Sequence, residues 1–265
     1  MEKSKSVAAK RPVAFALAVT IIFILLVLIS SFVVSTRWPG DTPGWYLSST
    51  TGRLVSFFVL LVALFRLGWL GPAGLTRLGE RNTWLALLLP LAYGAAVSTY
   101  AATGNIAFSV SDPALAVPAA LFLMAHAFLE EVAFRGMILH AFVSRSGGTN
   151  RGLVWSVLVS SLFFGAMHLI YLAAEPLPVV LLRVVFAFLF GIYLGALVLN
   201  GRSIYPAAFF HGVLNVAGYF GLAGSGAEET TASWFLMSLS MLPLAVFGIY
   251  LLRDVRHRDV LPEAV

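Results

Sequence analysis

Three ionisable residues fall where a long apolar run should hold none: Glu130, Glu131 and Arg135, in His126-Ala-Phe-Leu-Glu-Glu-Val-Ala-Phe-Arg135. An ionised group at mid-bilayer costs about 2.5–3.5 kcal/mol on insertion scales, so each needs a partner or water. Glu131 and Arg135 are four apart, in the order that favours an ion pair on a helix. Glu130 is turned about 100° away, which leaves it without a partner in its own helix. Its partner is therefore expected on a neighbouring span or in a wet cavity. His168, which ends Phe164-Gly-Ala-Met-His168, is one candidate. His211 and Asn215, four apart and so on one helical face, are two more.

A buried carboxylate with two imidazoles and an amide can activate water and stabilise an oxyanion. Other routes to peptide hydrolysis inside a membrane lack their residues. The string His-Glu-x-x-His is absent, all four Asp lie outside the apolar runs, and there is no Cys. Gly224-Ser225-Gly226 reads as a turn in a polar loop, not as a nucleophile beside a base. In the remaining chemistry Glu130 is the general base. His168 and His211 orient water, polarise the carbonyl or protonate the leaving amine, and Asn215 donates to the oxyanion. Glu131 and Arg135 brace Glu130. The alternative places Zn²⁺ on His168, His211 and Glu130 with an open fourth position. That version leaves no free base except Glu131, so no cofactor is favoured and zinc is kept as the alternative.

The elements that must carry these groups are membrane spans. The 265 residues are 60% hydrophobic and 11% charged, against roughly a quarter charged in soluble domains. Mean hydropathy is +0.92. With about 20 residues per span, eight runs fit: 13–35, 52–71, 83–103, 114–143, 153–173, 177–199, 205–222 and 232–252. The expected fold is an all-α polytopic bundle, a single integral membrane domain over 1–265, with spans four to seven (114–222) as the catalytic core. Lys3, Lys5, Lys10 and Arg11 precede the first span, which places the N-terminus inside. Alternation then puts Arg77, Arg81, Arg145, Arg151, Arg202, Arg253, Arg256 and Arg258 inside as well. Arg37 falls outside, with Arg53 at an outer boundary, among Asp41, Asp112, Glu175, Glu228 and Glu229. The net charge of +5 is thus topological and argues against a nucleic-acid partner. The first span reads as an uncleaved anchor, because its apolar core is longer than a signal h-region and lacks a small-x-small cleavage site.

Punctuation agrees with these spans. Ser111-Asp112-Pro113 looks like a cap and first turn, Pro178 and Pro206 open spans six and seven, and Pro90 and Pro243 should kink theirs. Gly191 and Gly195 form a small-xxx-small packing face. Counted from the cytoplasmic ends, Glu130, His168, His211 and Asn215 lie roughly 10–24 Å deep, with His211 the shallowest and the weakest fit. His126 and Phe164 are candidates to line the cavity, with packing the plainer role for His126. Arg66 and Arg183 are placed to snorkel, His140 and His257 have no assigned role, and Trp38, Trp45, Trp69 and Trp234 suit interfacial belts.

Glu130-Glu131-x-x-x-Arg135, Phe164-x-x-x-His168 and His211-x-x-x-Asn215, in this order, resemble the CAAX-protease and bacteriocin-processing (CPBP, or Abi) family. That family includes the type II CAAX prenyl endopeptidases. The resemblance implies an eight-helix-type intramembrane endopeptidase with a cavity open to the cytoplasm. It assigns the water's base to Glu130 and completes the site with His168, His211 and Asn215, with Glu131 and Arg135 in support. The implied partners are the lipid bilayer and a membrane-associated peptide or protein, and the expected location is a prokaryotic plasma membrane with both termini cytoplasmic. Two readings compete: a proton-coupled transporter using the same groups as a relay, and a non-catalytic immunity or scaffold protein.

Overall fold

The computed structural model describes residue 8 and residues 10–103, 113–146, 149–225 and 230–255. Among them every regular element is helical. Helices α1 (Pro12–Ser35) and α2 (Pro43–Leu67) come first. The short α3 (Arg81–Ala86) and α4 (Leu88–Thr103) follow. Next is α5 (Pro113–Glu131), which runs on through a π-helical stretch, Val132–Leu139, into α6 (His140–Ser146). Then come α7 (Asn150–Met167), a 3₁₀ segment (His168–Ala173) and α8 (Leu177–Gly201). The last helices are α9 (Tyr205–Ser225), α10 (Thr231–Ser240) and α11 (Leu242–Leu251).

Among the described residues, six helical stretches are long and apolar enough to cross a membrane: 12–35, 43–67, 113–145, 150–173, 177–201 and 231–251. Ile29, Phe32, Phe58, Phe65 and Val246 are exposed on such helices. A surface of this kind suits lipid tails and not water. The two remaining expected spans are helical as well. The third, 83–103, is split at Leu87 into helices of 6 and 16 residues just ahead of Pro90. The seventh corresponds to α9, 21 residues long. Pro243 interrupts the final span between Ser240 and Leu242, as a proline lacking its N–H should. Pro178 and Pro206 lie in the first turns of α8 and α9. Gly224 and Ser225 belong to the end of α9, not to a turn. The cap expected at Ser111-Asp112, the charges Lys3, Lys5, Glu228, Glu229, Arg256 and Arg258, and His257 lie outside the described residues.

Helix α5 lies between α2 and α9, while α7 packs on α8, which also receives α10 and α11. The start of α9 is fixed by the segment after α2. Gly68, left-handed at φ 68°, ends α2, and Gly74, at φ 76°, lets the chain fold beneath residues 203–204. There the Ile204 amide donates to the Gly74 carbonyl (3.2 Å), and the hydroxyls of Ser203 and Tyr205 donate to the Arg77 and Leu75 carbonyls (2.7 and 2.9 Å).

Two expectations about packing are corrected. Trp69 and Trp234 are buried and do not form an interfacial belt. Trp69 packs edge-on against His140, with ring centroids 4.6 Å apart. His140 therefore belongs to the core. Arg183 does not snorkel. It binds both Glu175 oxygens (2.8 and 2.9 Å), and its guanidinium stacks over Tyr171 and Trp234.

Close approach of α7 to α8 depends on small residues. A Cβ at Gly165 would stand 2.8 Å from the Val184 carbonyl oxygen, and one at Gly191 would stand 3.0 Å from the Ser161 Cβ. Because the obstacle at Gly165 is backbone, it cannot swing aside. Gly165→Ala is expected to destabilise the protein by about 1–3 kcal/mol through overpacking, read as a lowered thermal midpoint in detergent. An unchanged midpoint would mean that α7 and α8 are not held this closely.

Candidate active site

The site begins with the change of helix type after Glu131. From Val132 to Leu139 the turns widen to π geometry, in which each backbone amide reaches back five residues rather than four. Arg135, four residues on from Glu131, faces it across one turn, with Nη1 donating to Oε1 at 2.8 Å. Widened turns also leave carbonyls looking for donors, and the buried Ser160 hydroxyl of α7 supplies one to Phe134 (2.9 Å). The second Arg135 amine, Nη2, donates to the Gly191 carbonyl at 3.4 Å. Gly191 thus serves the site as well as the helix packing that its sequence motif suggested. The guanidinium also lies 4.3 Å from the centroid of the Phe164 ring, a cation–π contact in a dry setting.

His211 of α9 joins the two carboxylates. Its Nδ1 is 2.8 Å from Glu131 Oε1 and its Nε2 is 3.3 Å from Glu130 Oε2. The shorter contact to an ionised oxygen requires a proton on Nδ1. Nε2 then faces Glu130 with either a lone pair or a second proton, so one proton can pass between them. The expectation that His211 is the poorest fit is reversed: it is the histidine that touches both acids. Depth along a helix axis says nothing of which neighbour a side chain meets, and α9 packs on α5.

Glu130 is not without a partner in its own helix. His126, one turn earlier, brings Nε2 to 3.4 Å from Glu130 Oε1. The i, i+4 spacing is the signal in the sequence, where His126 is a candidate to line the cavity and packing is its plainer role. Behind His126 stands Arg53 of α2, whose Nε donates to His126 Nδ1 at 3.1 Å. Arg53 was expected at an outer boundary because the apolar run starts beside it. The helix itself begins nine to ten residues earlier, where Thr42 caps the Trp45 amide and Pro43 fills the first turn. Arg53 is therefore deep inside the protein and only 4% exposed. Capping residues, not hydropathy, were the clue.

His168 sits at the switch from α7 to the 3₁₀ segment, half-buried. Its Nδ1 is 2.9 Å from the Phe164 carbonyl. A carbonyl accepts only, so Nδ1 carries the proton and a neutral ring presents Nε2 as an acceptor. His168 touches neither carboxylate. It adjoins the centre through Phe164, whose buried ring lies 5.4 Å from the His168 ring and 5.8 Å from that of His211. Phe164 is the packing hub of the site, with the Phe134 ring on a further side at 5.2 Å. Asn215 is half-buried one turn beyond His211, and its side chain makes no hydrogen bond among the described residues. Glu131 Oε2 is buried and likewise accepts none among them. No set of three or more His, Asp and Glu side chains among the described residues is arranged to hold a metal ion.

A polytopic helical membrane protein with a buried carboxylate–imidazole centre is the class that this fold and geometry define. Within it, residues 112–217 match the family model described as Rce1-like, type II CAAX prenyl endopeptidase Rce1-like. This is the family whose motifs the sequence resembles. The match supports a CAAX-type intramembrane protease in general. It covers Glu130, Glu131, Arg135, Phe164, His168, His211 and Asn215, and leaves out α1 and α2 with Arg53. No curated protein matches the chain.

The Glu131–Arg135 pair is fully buried, so removing one partner strands the other. Arg135→Leu is expected to cost about 3–5 kcal/mol in thermal or denaturant unfolding. Adding Glu131→Gln to that variant should recover part of the loss, because the stranded charge is gone. If the double variant is less stable than Arg135→Leu, the pair is not the main electrostatic contact of either residue.

Proposed function

We propose that the protein is an intramembrane endopeptidase that cuts a membrane-associated peptide or protein tail with water activated by Glu130. The observation that carries the reading is His211 bridging Glu130 and Glu131. It gives the base a neighbour able to receive and return a proton, next to a carboxylate already neutralised by Arg135. In the reaction Glu130 removes a proton from water as the oxygen adds to the scissile carbonyl carbon. The tetrahedral oxyanion accepts from the Asn215 amide, a donor commonly worth about 3–4 kcal/mol to the transition state. His168 Nε2, free to accept, orients the water. The carbon–nitrogen bond then breaks as the proton held between Glu130 and His211 Nε2 passes to the leaving amine.

We favour the version without metal, because His211 turns both ring nitrogens to carboxylates and His168 contacts no other candidate ligand. The family's description as type II CAAX prenyl endopeptidases suggests prenylated C-terminal peptides as the first substrates to try. The eight-span arrangement with both termini cytoplasmic, in a prokaryotic plasma membrane, belongs to the same proposal, as does catalysis by the helices over 114–222.

The direct test uses purified protein in proteoliposomes with farnesylated and unlipidated C-terminal peptides, and mass spectrometry of the products. Wild type should release a defined fragment, and Glu130→Gln should lower the rate by at least about 10²-fold. Equal cleavage by Glu130→Gln would remove Glu130 from the chemistry. Proton flux without any product would favour a transporter instead. A second prediction concerns metal: protein treated with a chelator and found metal-free by elemental analysis should keep its cleavage rate. Loss that Zn²⁺ alone restores would return the zinc version.

A further inference from the structure

We infer that Arg53 and His126 are positioning residues for Glu130, acting through one fixed imidazole tautomer. The argument starts from what an arginine can do: it has five N–H donors and no acceptor. Four of the five are committed. Nε donates to His126 Nδ1, Nη1 to the Val27 carbonyl (3.4 Å) and the Ser30 hydroxyl, and Nη2 to the Ser31 hydroxyl (3.0 Å). The three α1 contacts hold the guanidinium like a bracket, and its charge faces the Phe122 ring at 5.3 Å. Gly52, next in sequence, lets α2 come this close, because a Cβ there would fall 2.9 Å from the Ser30 Cβ.

A clamped donor at Nδ1 decides the protonation pattern of His126. Nδ1 must accept, so the ring proton sits on Nε2. That nitrogen is the one facing Glu130 Oε1 at 3.4 Å, with its N–H on the side of the carboxylate. Ring orientation is set as well, since Phe122 stacks on His126 with centroids 6.0 Å apart and planes 12° apart. Glu130 is then held by both oxygens, Oε1 by His126 and Oε2 by His211. A glutamate has three rotatable side-chain bonds, and pinning both oxygens fixes the direction of its remaining lone pairs towards the water. The relay also gives α1 and α2 a task at a centre otherwise built from residues 112–217. The positive charge of Arg53 answers the negative charge of Glu130 across the His126 ring.

Its catalytic consequence rests on the peptidase reading above, whereas the tautomer is a property of the fold itself. The experiment therefore has two arms. Nitrogen NMR of ¹⁵N-histidine-labelled protein in nanodiscs, with His126 assigned by its loss in His126→Gln, should show a protonated Nε2 and a bare Nδ1. Arg53→Met should convert His126 to a mixture with the Nδ1–H form. A protonated Nδ1 in wild type, or a spectrum indifferent to Arg53→Met, overturns the proposal, and the wild-type spectrum decides it even if Arg53→Met fails to fold. In the cleavage arm, His126→Leu should lower kcat by about 10²-fold with KM unchanged, the scale of a misoriented catalytic group. His126→Gln, whose amide N–H stands near the Nε2–H position, should restore most of that loss. Equal losses in His126→Leu and His126→Gln, at matched thermal midpoints, would assign His126 a structural role only. Absence of any cleavage by wild type would defeat the peptidase reading while leaving the tautomer result to stand.

Discussion

Two adjacent carboxylates buried in one apolar helix must each be answered by positive charge and by hydrogen-bond donors, and the surrounding structure follows from that demand. Glu131 is met by Arg135 and by the protonated nitrogen of His211, both on the same oxygen. Glu130 is met by two imidazoles, one on each oxygen, with Arg53 behind His126. Two acids and two arginines balance within a few helical turns. Left unbalanced, either carboxylate would carry a desolvation penalty of several kcal/mol, comparable with the whole net stability of many domains.

The backbone around those charges departs from ideal geometry. A π stretch follows Glu131 and carries Arg135, and Ser160 meets a carbonyl of that stretch. Glycines at 165 and 191 admit α8 closely enough for the Gly191 carbonyl to reach Arg135. Phe164 then fills the space between Arg135, His168 and His211, excluding water from the ion pair while offering its ring face to the cation. The π stretch is thus tied to a backbone carbonyl that the lipid interior would otherwise leave unsatisfied.

How far the site could be read from sequence depended on whether the relation was local. The Glu131–Arg135 pair follows from spacing along one helix, and so does the shared face of His211 and Asn215. His126 stood at the same spacing from Glu130, but a half-buried histidine gives no sign in sequence of whether it meets a carboxylate or only packs. Counting depth ranked His211 the weakest fit, because residue number gives height along one helix and not which neighbour a side chain meets. Arg53 was hidden by its run. Hydropathy averages over a window, and Thr42-Pro43, which starts the helix, lies outside the most apolar part of α2.

Composition, run length and the position of three charges were enough to determine a helical membrane bundle with one carboxylate neutralised in place, because those properties depend on neighbours a few residues apart. The tertiary structure alone decided what answers Glu130. Arg53 is 77 residues away from it and His211 is 81, on helices whose tilt and rotation are set by packing, glycine contacts and caps rather than by any local period. Electrostatic complementarity between distant segments leaves no periodic trace in a chain. It becomes visible only when the helices are brought together and each buried donor has been matched to its acceptor.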